Sequence, residues 1–222
     1  CIVPTRNIFQ KGYLKTQANN AGDIELIEFN PGNFSTVKQA IETSDYVINL
    51  IGILNQSRKG KFDKIHSDLP DVISKLCTSS NVKKLIHVSA IGASADSKSK
   101  YQRSKFLGEQ KVLQNFENSV IIRPSVVVGQ EDGFSNLFAK LSFFPIIPIP
   151  NKSYKLQPIY VQDVADAILS AIEIKNNKKK IYEIGGEKIF SFEEIINLIM
   201  KIIGKRRFVI EIPMPLAKFQ ST

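Results

Sequence analysis

Short β-branched runs alternate with longer segments of helical period, and this alternation limits the possible folds more than any other feature of the sequence. Strand-like runs occur at Cys1 to Val3, Ile24 to Phe29, Tyr46 to Ile51, Lys84 to Val88 and Val120 to Ile122. Helix-like segments lie between them, at Ile8 to Ala18, Phe34 to Thr43, Asp63 to Ser79 and Lys98 to Phe116. Such alternation is typical of βαβ units. The sequence therefore predicts an α/β fold, a doubly wound, Rossmann-like parallel sheet with right-handed crossovers.

The second half of the chain has a different pattern. Its predicted elements are a helix near Phe134 to Leu141, a proline-rich loop up to Pro150, a strand at Gln157 to Tyr160, a helix at Val161 to Ile174, a strand at Ile181 to Ile184, a helix at Phe192 to Ile203 and a strand at Phe208 to Ile212. Ser191 and Glu194 predict a capping box for the last helix. We predict a Rossmann domain over residues 1–130 and a smaller mixed lobe over residues 131–222, with strands that return to the Rossmann sheet near residues 157–165.

The formal charge of +9 has two interpretations. Lysine-rich pieces such as Arg58 to Lys61, Lys175 to Lys180 and Lys205 to Arg207 could attract nucleotide phosphates or acidic lipids, or they could form a solvated face. Basic and aromatic residues do not interleave, so nucleic acid is not an expected partner. Two cysteines and two histidines predict neither a disulfide framework nor a metal site.

The segment from Ser99 to Gln110 contains Tyr101-x-x-x-Lys105 near the start of a predicted helix. Four residues is about one helical turn, so the phenol and the ammonium lie on one face. A cation beside a phenol favours the phenolate and suits general acid–base chemistry. The spacing alone also fits a surface tyrosine and lysine that are neighbours by chance.

The residues that follow the predicted strands point to a ligand site, because ligands of doubly wound folds bind at the carboxyl ends of the strands. Arg6 follows the run Cys1 to Val3. If that run is the second strand of a dinucleotide fold, an arginine there accommodates the 2′-phosphate of NADP, but a solvent-facing arginine fits the position equally well. Gly52 follows the third strand, where a glycine lets the backbone approach a ligand closely. Ser89 follows the fourth strand and directly precedes the Tyr101 helix, which places a hydroxyl, a phenol and an ammonium at one strand end.

A phosphate-cradling G-x-G-x-x-G turn is not found among the twelve glycines. If Cys1 to Val3 is the second strand of the fold, one βα unit on the order of 15 to 30 residues is missing and would carry that turn. The apolar segment that starts at Pro213 also stops abruptly. We therefore expect a fragment that lacks the first βα unit and the C-terminal end.

The chain resembles the extended and atypical short-chain dehydrogenase/reductases of the NAD-dependent epimerase/dehydratase superfamily. It looks most like bacterial relatives of the nicotinamide-nucleotide-binding accessory subunit of respiratory complex I. The stretches that carry the resemblance are Asp45 to Leu54, His87 to Ala93, Tyr101 to Glu109, Arg123 to Gly129 and Gln157 to Ala165.

The resemblance implies a site residue by residue. Tyr101 would be the acid/base, and Lys105 would hold the nicotinamide ribose and lower the pKa of Tyr101. Ala90 and Ile91 occupy the positions where active relatives usually have Ser or Thr, so either Ser89 would stand in for the catalytic hydroxyl or the donor that polarises the carbonyl would be lost. The other implied cofactor-binding residues are Arg6 at the adenosine 2′-phosphate, Asn30 near the adenine, Leu50, Ile51 and Gly52 along the cofactor, Val88 beside Ser89, and Pro124, Ser125 and Val126 at the nicotinamide.

Two functions remain open from the sequence. The first is a protein that binds NADP(H), or NAD(H), in a mainly structural or regulatory role, with complex I or the membrane surface as a partner. The second is an active oxidoreductase or nucleotide-sugar epimerase/dehydratase that acts on a carbonyl or nucleotide-sugar substrate through Tyr101. Either would lie in the bacterial cytoplasm or at the inner membrane, or on the matrix side of the mitochondrial membrane in a eukaryote.

Overall fold

The computed structural model describes residues 1–30, 35–55, 60–175 and 179–212. Within this range the chain divides into two compact units. Unit 1 comprises the described residues of Cys1–Ile121 and Lys175–Lys180, and unit 2 comprises the described residues of Ile122–Ile174 and Ile181–Thr222. Phe34 at the start of a predicted helix, Arg58 in a predicted basic piece and the apolar segment that begins at Pro213 lie outside the described residues.

Unit 1 alternates strands and helices, as the sequence predicts. Its elements are β1 (Ile2–Thr5), a 3₁₀-helix (Gly12–Gln17), β2 (Glu25–Glu28), α1 (Ser35–Glu42), β3 (Tyr46–Asn49), α2 (Lys61–Asp63), a π-helical turn (Lys64–Asp68), α3 (Leu69–Thr78), β4 (Lys84–Val88), α4 (Lys100–Asn115) and the first half of β5 (Ser119–Pro124). Residues 61–78 therefore form one run of helix, in which the π turn separates two α-helical segments.

The strands of unit 1 form parallel pairs. β1 pairs with β2 in parallel from Ile2 opposite Glu25, and β3 pairs with β4 in parallel from Tyr46 opposite Lys84. β4 lies between β3 and β5. The predicted α/β fold with a parallel sheet is confirmed, and the parallel register brings the carboxyl ends of β3 and β4 side by side.

Burial explains why β4 is the centre of unit 1. Leu85 and Ile86 are completely buried, which is typical of a strand covered on both faces. Ile73 and Cys77 give α3 a buried stripe on one face. Fully burying an aliphatic side chain of this size contributes roughly 1.5–3 kcal/mol, so these positions fix β4 and α3 in the core.

The helix predicted at Ile8 to Ala18 is wrong. The structure has a 3₁₀-helix at Gly12–Gln17 instead, and none of its residues is buried. Because most helical stability in proteins comes from packing an apolar face, a segment without a buried residue has no tertiary support for a longer α-helix.

Unit 2 is a mixed lobe, as predicted. Its elements after the second half of β5 are β6 (Val127–Val128), α5 (Gly133–Leu141), β7 (Ile146–Ile149), β8 (Lys155–Leu156), β9 (Ile159–Tyr160), α6 (Val161–Glu173), β10 (Ile181–Ile184), β11 (Phe190–Ser191), α7 (Phe192–Ile202) and β12 (Phe208–Glu211). One buried cluster packs α5, β7, α7 and β12 together, and it is formed by Phe138, Ile147, Ile149, Ile196, Met200 and Val209.

The proline-rich loop predicted around Pro145 to Pro150 contains a strand. β7 pairs in parallel with β12, with Phe208 opposite Ile146. Ile147 and Ile149 are completely buried, and alternate residues of a strand share a face. Pro148 lacks an N–H donor but is tolerated here, because within the described residues β7 pairs with one neighbour only.

The capping box predicted for the last helix is confirmed. The backbone N–H of Glu194 donates to Ser191 Oγ at 3.2 Å, and the backbone N–H of Ser191 donates to Glu194 Oε2 at 2.6 Å. Both bonds satisfy N–H groups at the start of α7 that have no partner inside the helix.

Candidate functional site

The ends of β3 and β4 meet through a buried amide–imidazole pair. Asn49 is opposite His87 in the register, and Asn49 Nδ2 donates to His87 Nδ1 at 3.0 Å. Asn49 Oδ1 accepts the backbone N–H of Ile51 at 3.1 Å. Asn49 thereby anchors residues 50–53, which we call the post-β3 loop.

Lys105 brings α4 to the end of β4. Its side chain is almost completely buried, and its Nζ donates to the carbonyl oxygen of Val88 at 2.8 Å. Burial lowers the pKa of Lys105 to about 8, and the nearby Glu109 carboxylate opposes that shift. The ammonium is therefore still mostly protonated at neutral pH, held in a site with little water.

Tyr101 lies one helical turn before Lys105, but its phenol is perturbed in the direction opposite to the one expected. Burial raises the pKa of Tyr101 above its usual value of 10.0. Desolvation disfavours the phenolate, and the ammonium of Lys105 donates its hydrogen bond to the carbonyl oxygen of Val88. Burial therefore stabilises the protonated form of the Tyr101 phenol.

The ring of Tyr101 is held by two aromatic neighbours. The Phe62 ring lies edge-on at 5.9 Å between centroids, and the His66 ring lies edge-on at 5.3 Å. Phe62 and His66 stack on each other at 5.2 Å. Edge-to-face contacts of this kind fix ring orientation and add to the energy of burial.

Two buried polar atoms at the end of β4 have no hydrogen-bond partner within the described part of the chain. They are Ser89 Oγ and His87 Nε2. Buried polar groups of native proteins are almost always paired, so such atoms mark places where a bound molecule can supply the missing partner. Ser89 is the residue that the sequence predicts as the hydroxyl of the site.

Gly52 leaves room beside the ammonium. A Cβ added there would lie 3.8 Å from both His66 Nε2 and Lys105 Nζ. The structure thus brings Gly52, Val88, Ser89, Tyr101 and Lys105 to one end of the sheet, as predicted. Leu50 is 64% exposed and Ile51 is half-buried in the same loop.

Arg6 and Asn30 lie together at a different pair of strand ends. The backbone N–H of Phe29 donates to Thr5 O at 2.8 Å, which joins the carboxyl ends of β1 and β2. Arg6 and Asn30 follow these two residues directly, and both are exposed. The β1–β2 pair forms a sheet of its own.

Pro124, Ser125 and Val126 belong to unit 2. Pro124 ends β5 and is buried. The backbone N–H of Ser125 donates to Ile184 O at 2.9 Å, and Val126 O accepts the backbone N–H of Ile159 at 2.9 Å. Their predicted contact with a nicotinamide remains a prediction.

His66, Ser104 and Asn49 are site residues to which the sequence reasoning assigned no role. In the sequence, the two histidines only make a zinc site unlikely. The one hint of a role for His66 is that it follows Ile65 on the apolar face of a predicted helix, and an ordinary core histidine shows the same pattern. Within the described ranges, no group of three or more His, Cys, Asp and Glu side chains could hold a metal ion.

Comparison with known proteins places the chain in a family. The family model of the RmlD substrate binding domain matches residues 92–219, which is more than half of the chain. In the described segments, no helix combines the length and apolarity that crossing a membrane requires.

Several curated relatives are named as subunits of NADH dehydrogenase [ubiquinone], which is respiratory complex I. The chain is 36% identical over 180 residues to the mitochondrial NADH dehydrogenase [ubiquinone] 1 alpha subcomplex subunit 9 of Dictyostelium discoideum, covering 81% of this chain and 50% of the relative. It is 31% identical over 219 residues to the mouse subunit of the same name, covering 97% and 57%. The chain thus spans about half the length of the curated relatives it matches.

Solved structures with the same fold are sugar-nucleotide enzymes. UDP-glucuronic acid 4-epimerase from Bacillus cereus, in complex with UDP-glucuronic acid and NAD, superposes with a TM-score of 0.78 at 19% identity, covering 96% of this chain and 77% of that chain. A dTDP-4-dehydrorhamnose reductase from Bacillus anthracis, in complex with NADP, gives a TM-score of 0.76 at 17% identity, covering 97% and 85%.

Proposed function

Because this chain belongs to the RmlD substrate-binding-domain family and is an extended short-chain dehydrogenase/reductase, we propose that it holds a nicotinamide dinucleotide in a mainly structural or regulatory role. The single observation that carries the proposal is the buried ammonium of Lys105 next to an open glycine, Gly52. A buried ammonium is costly unless its donors are paired. Lys105 donates to Val88 O and lies near the Glu109 carboxylate, and a bound nucleotide can add further acceptors.

The residues present fit the ribose–nicotinamide portion of such a nucleotide. An ammonium has three donors, so Lys105 can hold ribose hydroxyls while it keeps its bond to Val88 O. Ser89 Oγ offers a buried hydroxyl without a partner in the described range. Gly52 allows the backbone of the post-β3 loop to approach the ligand. When bound, the nucleotide would supply a hydride donor or acceptor, and these residues would bind and orient it.

The burial of Tyr101 bears on the choice between a structural role and turnover. Burial raises the pKa of its phenol, so the phenolate that a general base requires is harder to form, while the protonated phenol keeps the form of a general acid. Ala90 and Ile91 also stand where active relatives usually present a second hydroxyl. Both features leave nucleotide binding intact and weaken the case for a catalytic cycle.

NADP(H) is the preferred form in this proposal. Arg6 is exposed directly after β1, where an arginine accommodates the 2′-phosphate. The enzymes with the same fold bind NAD in one case and NADP in the other, so the preference depends on Arg6. Complex I is the proposed partner because several curated relatives are named as its subunits. The proposed location of this chain is the membrane surface, on the side where complex I meets nicotinamide nucleotides.

Titration of the full-length protein with NADPH, followed by nucleotide fluorescence, tests the proposal. Lys105→Met should weaken binding at least about tenfold, because hydrogen bonds to a charged donor are lost. Lys111→Met is the matched control on the same helix, since Lys111 is partly exposed and pairs with Asp68 at 3.2 Å. Absence of binding by the parent, or equal affinity of Lys105→Met and Lys111→Met, would refute it.

An active oxidoreductase or nucleotide-sugar epimerase/dehydratase is the second candidate. The observation in its favour is the placement of Tyr101 one turn before a buried Lys105 on α4. If it is right, the full-length protein turns over a carbonyl or nucleotide-sugar substrate, and Tyr101→Phe abolishes turnover while nucleotide affinity stays nearly unchanged. Loss of affinity in Tyr101→Phe without turnover in the parent would leave only the structural role.

A further inference from the structure

His66 connects two parts of the site that the sequence treats separately. The backbone N–H of Ile53, in the post-β3 loop, donates to His66 Nε2 at 3.0 Å. On the other side of the ring, His66 Nδ1 and Ser104 Oγ are 2.9 Å apart. Ser104 lies on α4 directly before Lys105 and donates to the carbonyl oxygen of Tyr101 at 2.8 Å. The imidazole therefore bridges the loop and the Tyr101–Lys105 helix.

The direction of each hydrogen bond fixes one tautomer. A backbone N–H can only donate, so Nε2 of His66 must accept and carries no proton. Ser104 Oγ gives its own proton to Tyr101 O, so it accepts from His66 Nδ1–H. The chain of bonds runs in one direction, from Ile53 through His66 and Ser104 to Tyr101. Only the neutral Nδ1–H form of His66 completes it.

The backbone that carries His66 is unusual as well. His66 lies at the middle of the π-helical turn Lys64–Asp68, within the helix that continues as α3. Single π-helical turns are rare and frequently occur at functional sites, because the extra residue re-aims a side chain. Here the turn directs a completely buried imidazole between the loop and α4.

A glycine on α4 accommodates the π turn. A Cβ added at Gly108 would overlap the carbonyl oxygen of His66 and lie 3.0 Å from its carbonyl carbon. α4 can therefore approach the π turn this closely only with a glycine at that position. Lys105 and Gly108 are three residues apart, so the same face of α4 that presents the ammonium also receives the His66 backbone.

We propose that His66 is a positioning residue that ties the post-β3 loop to the helix bearing Tyr101 and Lys105, and so fixes the two sides of the nucleotide site relative to each other. The inference rests on the proposed function only in its last step, the effect on nucleotide affinity. The tie itself consists of hydrogen bonds and ring contacts that exist whether or not a nucleotide binds.

The electrostatics of the site are consistent with this role. Burial and the adjacent Lys105 lower the pKa of His66 to about 4, with a smaller opposing effect from the Ile53 hydrogen bond. A second cation beside a buried ammonium would repel it, and an imidazolium could not accept from Ile53. The neutral ring therefore preserves both the tie and the protonated Lys105.

Two conservative variants separate the two ends of the tie. In His66→Gln the side-chain oxygen reaches the position of Nε2 and can accept from Ile53, whereas His66→Asn places its polar atoms near Nδ1 and leaves the Ile53 N–H without an acceptor. Ser104→Ala removes the link to α4. Ser74→Ala is the matched control, because Ser74 is also buried, donates to a helix carbonyl, Pro70 O, at 2.8 Å, and accepts from Asn115 of α4 at 3.0 Å, so it removes a bond to α4 that does not involve His66.

The experiment uses the full-length protein and two kinds of measurement. Imidazole ¹⁵N spectra at neutral pH should show His66 as the Nδ1–H tautomer, and an Nε2–H tautomer or an imidazolium would overturn the proposal without any variant. Amide hydrogen exchange at Ile53 should be fast in His66→Asn and slow in His66→Gln and Ser74→Ala. Equal exchange in His66→Asn and the parent would refute the tie.

NADPH affinity then tests the functional step. His66→Asn should bind about tenfold more weakly, and His66→Gln should recover most of the affinity. Ser104→Ala should weaken binding, while Ser74→Ala should leave it unchanged even if both lose similar stability. If Ile53 exchanges fast in His66→Asn, as the tie predicts, but the NADPH affinity of that variant is unchanged, the positioning role is overturned. If the parent does not bind NADPH, the proposed function fails, and the tautomer and exchange results still decide the tie.

Discussion

Replacing Gly108 by alanine should disrupt the contact between α4 and the π turn that carries His66. The added Cβ would overlap the His66 carbonyl oxygen and stand 3.0 Å from its carbon, closer than the 3.5–4.0 Å at which carbon atoms pack. The clash would be between the Cβ on α4 and the backbone of His66, so a side-chain rotation cannot relieve it. The π turn would have to move by about 1 Å or more.

The cost follows from what that movement breaks. A shift of about 1 Å takes the 2.9 Å bond between His66 and Ser104 and the 3.0 Å bond between Ile53 and His66 beyond hydrogen-bonding distance. Overpacking costs about 1–3 kcal/mol, and each buried polar group left unpaired costs a similar amount. Alanine regains about 1 kcal/mol of helix propensity. The net loss in the free energy of unfolding should be at least about 2 kcal/mol.

Urea denaturation of the full-length protein, followed by circular dichroism, measures this loss. Gly133→Ala is the control, because Gly133 is also helical and an added Cβ there meets no atom within 4 Å. It should be neutral or slightly stabilising. Unchanged stability in Gly108→Ala, or equal effects of the two substitutions, would refute the reasoning that Gly108 receives the π turn.

Three further outcomes follow from the structure. The folded-state pKa of His66, about 4, lies below its ordinary 6.5. The neutral ring therefore contributes roughly 3 kcal/mol to the free energy of unfolding above pH 6.5, and this contribution is lost as the pH falls to 4. The free energy of unfolding, measured at several pH values, should depend less on pH in His66→Gln. Arg6→Glu should weaken NADPH binding much more than NADH binding in paired titrations, and equal effects would contradict the assignment of the 2′-phosphate. Ser191→Ala should lower the free energy of unfolding by about 0.5–2 kcal/mol, because it removes one bond of the capping box; an unchanged denaturation midpoint would contradict it.

The elements that the sequence predicts well are those whose identity depends on burial and local pattern. Lys84–Val88 is an almost completely buried run that contains Leu85, Ile86 and Val88, and the structure has β4 at those residues. The π turn could not be predicted, because residues 61–78 have one continuous helical pattern, and its close contact with Gly108 of α4 is visible only in the fold. β7 was missed because its prolines outweighed Ile147 and Ile149, whose burial depends on the distant partner strand β12.

The candidate site likewise has features that the sequence predicts and features that depend on the fold. The spacing of Tyr101 and Lys105 predicts that they share a face of a helix, and strand-end positions predict that Gly52 and Ser89 lie nearby. The pKa shift of Tyr101 depends on burial, which no spacing encodes. The role of His66 depends on bonds to Ser104 and Ile53, 38 and 13 residues away in the sequence, so it emerges only from the fold.

Hydrogen exchange of the full-length protein with and without NADPH tests the central claim most directly, because it measures binding and location together. We predict that NADPH slows exchange in the post-β3 loop, at Ser89 and in the first turns of α4, and that Lys105→Met loses this protection while Lys111→Met keeps it. Binding with protection elsewhere, or no protection at saturating NADPH, would contradict the assignment of the nucleotide site.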